Sequence, residues 1–244
     1  HVLGDAASER EATPEEIRSM AGLVREGMEA GAVGFTTSRV AHQRGEHGEP
    51  IPSFVAAEEE FFALAEEVGR LGRGMIGINP RTKAQDFCEE DRQQLRELAR
   101  RSGRPVTWNE FGQRDEWPDQ WRSLLDFMEG AQADGLRIAA VMRCQRMDLH
   151  FSLRDSHAFD GAPGWKETMA LPGPEKLARL RDPEVRRRLA HELATGFEGA
   201  RPWFRRIGVA RCRRPEWSER LVSELAAERG EDPGELFLAL AAEE

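Results

Sequence analysis

Tyrosine is absent from this 244-residue chain, lysine occurs only at positions 83, 166 and 176, and cysteine only at Cys88, Cys144 and Cys212. Three widely spaced cysteines without a CxxC pair indicate neither a disulfide framework nor a zinc knuckle, so a reducing, cytoplasmic setting is expected. Surplus positive charge is also lacking: 35 basic against 44 acidic side chains leave a formal charge of −9. Phosphate-rich partners need concentrated positive charge, which argues against nucleic acid and membrane surfaces as partners. No apolar run approaches the roughly 20 residues of a membrane span, and no signal-peptide pattern opens the chain. The first residue is His1 rather than Met, which we read as a sign that an N-terminal portion lies outside this sequence. What remains, 39% apolar and 32% charged residues, is the composition of a globular protein with a substantial core.

Short β-like runs alternate with longer amphipathic stretches. The runs are GAVGFTT (31–37), GMIGIN (74–79), RPVTWN (104–109) and GLRIAAVM (135–142). Helical periodicity spans 14–30, where Ile17, Met20, Val24 and Met28 share a face behind a Thr13/Glu16 capping box, and recurs over 56–71, 90–101 and 118–133. Apolar runs buried on both faces and joined by helices predict a parallel sheet and an α/β class. No GxGxxG follows any strand, which removes the main support for a dinucleotide fold and favours a (β/α)8-type barrel, of which four units are visible. Residues 143–175, rich in Gly, Pro, His and Asp around isolated aromatics, read as a long loop over the C-terminal face of the strands; 176–244 reads as mostly helical. Asp182-Pro183 and Asp232-Pro233 place an N-cap before a first-turn proline. The run 206–210 is a candidate further strand.

In such a barrel the reactive groups lie at the C-terminal ends of the strands. Those positions hold Thr36, Thr37, Ser38 and Arg39, then Asn79, then Asn109, Glu110 and Gln113, then Arg143, Cys144 and Gln145. The set is rich in hydrogen-bonding groups and poor in bases, and capping of strand ends is the plainer role for each. None of the six histidines forms HxH, HExxH or HxxxH. His42 and His47 lie in the loop after the first strand, and His150 and His157 in the long loop. Ser38 lacks a GxSxG bracket, and Cys144 lacks a histidine partner. The arginines at 205, 206, 211, 213 and 214 form a basic cluster suited to surface ion pairs or an anionic ligand.

The stretch ATPEEIRSMAGLVREGMEAGAVGFTTSRVAHQRGEHGEPIPS (12–53) resembles the N-acyl-D-amino-acid deacylase (D-aminoacylase-like) branch of the amidohydrolase superfamily. So do WPDQWRSLLDFMEGAQADGL (117–136), AFDGAPGWKETMALPGPEKLARLRDPEVRRRL (158–189) and ERLVSELAAERGEDPGELFLAL (219–240), in the same order. The resemblance implies a single incomplete barrel domain over 1–244, its visible strands being the fourth onward. It also implies a zinc-dependent hydrolase that cleaves an amide C–N bond with metal-activated water. The family's HxH strand and aspartate-bearing eighth strand fall outside these residues. Where it carries histidine after the fifth and sixth strands, this chain has Asn79 and Asn109, and amide oxygens are poor zinc ligands beside imidazole. No lysine ends a strand, so a carbamate bridge has no support.

The first expectation is therefore a barrel segment of a small-molecule amidase, with Ser38, Arg39, His42, Asn79, Asn109, Gln113 and Arg143 lining the substrate pocket and Arg39 or Arg143 pairing the substrate carboxylate. These 244 residues alone would be catalytically silent, and homo-oligomerisation is left open. The competing expectations are a metal-free barrel of the same descent acting as a binding or scaffold subunit, and an anion-binding module around 201–214.

Overall fold

The computed structural model describes residues 1–40, 43, 45, 49–81, 87–109, 111–113, 118–142, 144–145, 150–154, 156, 159, 162–195 and 207–243. Two compact units divide the chain, His1–Arg146 and Met147–Glu244.

The first unit is the α/β body. Its helices are α1 (Pro14–Glu29), α2 (Pro52–Val55), α3 (Glu58–Arg70), α4 (Glu89–Ser102) and α5 (Gln120–Ala133). Its strands are β1 (Gly34–Ser38), β2 (Met75–Asn79), β3 (Val106–Asn109) and β4 (Ile138–Val141), parallel throughout and in the order β1-β2-β3-β4. Every strand begins one to three residues later than the apolar runs suggest. The residues before them include Gly31, Gly74 and Gly135, whose positive φ values of 111°, 86° and 76° belong to the turns.

One face of the sheet is packed under helices. Ile76, Ile78, Val106, Trp108 and Ile138 are buried there with Phe61, Phe62 and Ala65 of α3, Leu95 and Leu98 of α4, and Leu124 and Phe127 of α5. Trp108 meets Phe87 edge-on at 5.1 Å and Phe127 at 6.3 Å. The opposite face differs from the expectation of burial on both sides. Thr36, Met75, Asn109, Ala139 and Val141 are exposed on it, and Gly77, Asn79 and Thr107 are half-buried. The reason lies in the alternation: apart from Met75 and Val141 the residues on this face are small or polar, and such a surface drives little burial by itself.

Helix α1 starts as its capping box predicts. Thr13 accepts from the Glu16 backbone N–H at 3.3 Å, and Glu16 accepts from the Thr13 N–H at 2.8 Å. Arg10 grips both Glu16 carboxylate oxygens at 2.8 Å. These contacts, the Arg10 hydrogen bond first and then the Thr13 N–H, hold the Glu16 carboxyl at about 2 against an ordinary 4.5. A depressed carboxyl contributes stability above its unfolded value and loses it as pH falls through the folded one. The first turn of α1 is therefore expected to keep its amide protection above pH 4.5 and to fray between 4.5 and about 2. Exchange rates at Thr13 and Glu16 that stay flat across that window would contradict this account.

The second unit contains α6 (Pro163–Met169), α7 (Gly173–Arg181), α8 (Pro183–Thr195), α9 (Val222–Arg229) and α10 (Pro233–Glu243). The stretch 143–175, read above as loop, thus carries α6 and the start of α7. Of its isolated aromatics Phe151, Phe159 and Trp165, the last two are core anchors, buried with Leu189, Leu193, Leu225, Leu236 and Leu238, while Phe151 is exposed. Trp165 donates from Nε1 to the Leu189 carbonyl at 3.0 Å, and its ring stacks on Phe237 at 6.2 Å. Asp182 caps α8 by accepting from the Glu184 N–H at 2.8 Å, and Asp232 caps α10 through the Glu235 N–H at 2.9 Å. The candidate strand at 206–210 reduces to one antiparallel bridge, Gly208 to Leu221, among the described residues.

Candidate functional site

Side chains of alternate strand residues form rungs on the open face of the sheet. Register pairs Thr36 with Gly77, Gly77 with Thr107, and Thr107 with Ala139; one rung higher it pairs Ser38 with Asn79, and Asn109 with Val141. Adjacent strands lie about 4.8 Å apart, so Ser38, Asn79 and Asn109 make a polar row at the C-terminal end of the sheet. A concavity of about 350 Å³ opens over them, with Thr36, Gly77 and Thr107 beneath. Gly77 keeps that floor open, since a Cβ there would meet Thr36 Cγ2 at 2.9 Å.

Asn79 is held in one orientation. Its side-chain Oδ1 accepts from the Asn109 backbone N–H at 3.1 Å. A backbone N–H only donates, so the oxygen faces Asn109 and the amide nitrogen remains as a donor. Among the described residues Ser38 Oγ is buried and has no hydrogen-bond partner, while the Ser38 carbonyl accepts from Ser53 Oγ at 2.5 Å. Buried hydroxyls are normally satisfied, which marks Ser38 as a group awaiting a partner.

Arg39, one residue on, goes elsewhere. It is buried in the helix layer, donating to the Ala56 carbonyl at 3.2 Å, lying over the Phe61 ring at 4.8 Å and pairing with Glu58 at 3.7 Å. Burial, then repulsion from Arg81, lowers the guanidinium below its ordinary value, against the pull of Glu58, Asp91 and Glu60. Burial likewise raises the Glu60 carboxyl, with Arg39 opposing. Replacing Arg39 with methionine is expected to cost about 1–2 kcal/mol through the lost cation–π and ionic contacts. Differential scanning calorimetry checks this; an unchanged melting temperature would mean the guanidinium does not hold α2 and α3 to the sheet end.

Of the other candidates from the sequence, Gln113 is exposed and does not line the concavity. His42 and Arg143 lie outside the described residues, as do Glu110, His47 and His157. The row therefore brings together Ser38, Asn79 and Asn109. Sequence reasoning missed Gly77 and Thr107, although counting back two residues from Asn79 and Asn109 leads to them. In the arginine cluster, Arg214 pairs with Glu243 at 3.1 Å and lies over Trp217 at 4.4 Å.

Among the described residues no three His, Cys, Asp or Glu side chains converge to hold a metal ion. Asn79 Oδ1 is already engaged and the described lining residues bring neither imidazole nor carboxylate. These strand ends do not fit zinc. No described helix is long and apolar enough to cross a membrane.

No family model matches the sequence, and no curated protein matches it. Among solved structures, the fold is similar to D-aminoacylase, whose crystal structure is described as defining a novel subset of amidohydrolases: TM-score 0.51, 18% identity, covering 98% of this chain and 39% of that one. A second D-aminoacylase structure, concerned with a binuclear metal center activated by one metal and attenuated by the second, matches with TM-score 0.50 at the same identity and coverage. A mutant D-aminoacylase in complex with copper chloride matches with TM-score 0.51. The chain thus has the fold of part of D-aminoacylase and spans 39% of the length of those solved chains.

Proposed function

We propose that this chain is a segment of an amidohydrolase-type barrel acting on amide C–N bonds of small molecules, N-acyl-D-amino acids or related amides being the substrate class. In this reading Ser38, Asn79 and Asn109 form a wall of the substrate pocket. The observation that carries it is the polar row on the open face at the C-terminal ends of parallel strands, where barrel enzymes place their chemistry. The likeness in fold to D-aminoacylase supports the reaction class as an analogy of fold. The wall itself supplies neutral hydrogen-bond donors and acceptors, which position an amide and polarise its carbonyl. It supplies no base to activate water, because none of its described lining residues titrates near neutral pH.

A second reading is a metal-free barrel that binds an amide without cleaving it; Asn79 and Asn109 at the strand ends favour it. Metal analysis of the purified protein together with an amine-release assay on N-acetyl-D-amino acids separates the two. Stoichiometric zinc with turnover supports the hydrolase. Saturable binding without metal or turnover supports the second reading, and the absence of both binding and turnover removes the amide site altogether.

A further inference from the structure

We infer that Asn79 is a specificity-determining residue whose side-chain nitrogen, beside the Ser38 hydroxyl, holds the carbonyl oxygen of an uncharged carboxamide without help from a metal. The inference rests on the amide-pocket reading above and, within it, selects uncharged related amides over N-acyl-D-amino acids, which carry a carboxylate.

Three observations lead to it. The Asn109 N–H occupies Asn79 Oδ1 and so orients the Asn79 amide before any ligand arrives. Ser38, the register partner of Asn79 on β1, keeps a buried hydroxyl without a partner among the described residues. The concavity over both is lined, among the described residues, by uncharged groups only, and Arg39 does not line it, its guanidinium donating to Ala56 and facing Glu58 and Phe61 in the helix layer.

A ligand carbonyl fits the donors of Asn79 and Ser38, and a ligand N–H fits the hydroxyl and amide oxygens of Thr107 and Asn109. A carboxylate brings acceptors alone and must shed water without a cation to meet it, which is unfavourable. Metal coordination by Asn79 would have to displace the bond from Asn109, whereas donation from its nitrogen leaves that bond intact.

The test is calorimetric titration of the full protein in EDTA with N-acetyl-D-alaninamide and, as its charged counterpart, N-acetyl-D-alanine. The carboxamide is expected to bind about tenfold or more tightly than the acid. Asn79→Asp keeps an acceptor for the Asn109 N–H but turns the donor into a charged acceptor, and is expected to lower carboxamide affinity at least about tenfold. Ser38→Ala, which removes no internal hydrogen bond of that hydroxyl, is expected to lower it several-fold and serves if the aspartate variant does not fold. Equal or tighter binding of the acid, or undiminished binding by Asn79→Asp, overturns the inference and leaves the amide pocket standing. So does carboxamide binding that vanishes in EDTA and returns with zinc. If neither compound binds with or without zinc, the pocket reading itself fails and the inference with it.

Discussion

Replacing Trp165 with alanine is expected to unfold the second unit at temperatures where the wild-type chain is fully folded. The indole is completely buried, packs 4.6 Å from Phe159 and stacks on Phe237, and its Nε1–H satisfies the Leu189 carbonyl inside α8. Truncation removes the ring's burial, leaves a cavity and loses that hydrogen bond, together about 3–5 kcal/mol. A domain of roughly 100 residues is typically stable by only about 5–15 kcal/mol, and each kcal/mol moves its midpoint by about 4–8 °C. A fall of more than about 10 °C in the calorimetric transition is therefore expected. Limited proteolysis of the variant should cut first within 147–244. Trp165→Phe keeps most of the packing and loses the hydrogen bond, so its effect should be well under half as large. A midpoint within two or three degrees of wild type for the alanine variant would refute the central placement of this side chain.

Gly34→Ala is the second large effect, and it strikes the sheet. Gly34 has φ 141°, and a Cβ built on it would lie 1.8 Å from the Met75 carbonyl oxygen and 2.9 Å from the Met75 nitrogen. No rotamer relieves such a clash, because the neighbour is backbone. The positive φ costs about 1–3 kcal/mol for a non-glycine residue, and forcing β1 away from β2 costs about as much again. The first hydrogen bond between these strands, from the Met75 N–H to the Val33 carbonyl at 3.0 Å, should open. Faster exchange of the Met75 amide and a drop in melting temperature are the expected readouts. A variant with wild-type stability and exchange would show that the strands need no glycine there.

The local rules could be read directly. Thr13 with Glu16, and the Asp-Pro pairs at 182 and 232, begin helices because capping involves residues no more than three positions apart. The four strands and the helices between them follow from periodicities of two and 3.6, and turn glycines mark the starts of the runs trimmed at β1, β2 and β4. The α/β class and the likeness to D-aminoacylase followed from that order of pieces.

Side-chain direction at chain turns was not readable in the same way. Arg39 directly follows the last residue of β1, and from sequence it stands beside Ser38 as an equal candidate for the pocket. Its guanidinium is drawn into the helix layer by Ala56, Glu58 and Phe61, on elements about twenty residues later. Phe159 and Trp165 looked like loop aromatics because Gly and Pro interrupt their helical period, and the groups that bury them, Leu189 and Phe237, come from α8 and α10.

Sequence alone determined the alternating strands and helices, the helix caps, and the polar character of the strand ends, because each depends on neighbours within one turn or one pleat. Tertiary structure alone decided that Ser38 and Asn79 share a rung while Arg39 does not, that the Asn79 amide is oriented by the backbone of Asn109, and that Phe159 and Trp165 belong to a core. Those outcomes are set by contacts between elements distant in the chain, whose geometry exists only once strand register and helix packing have been chosen together.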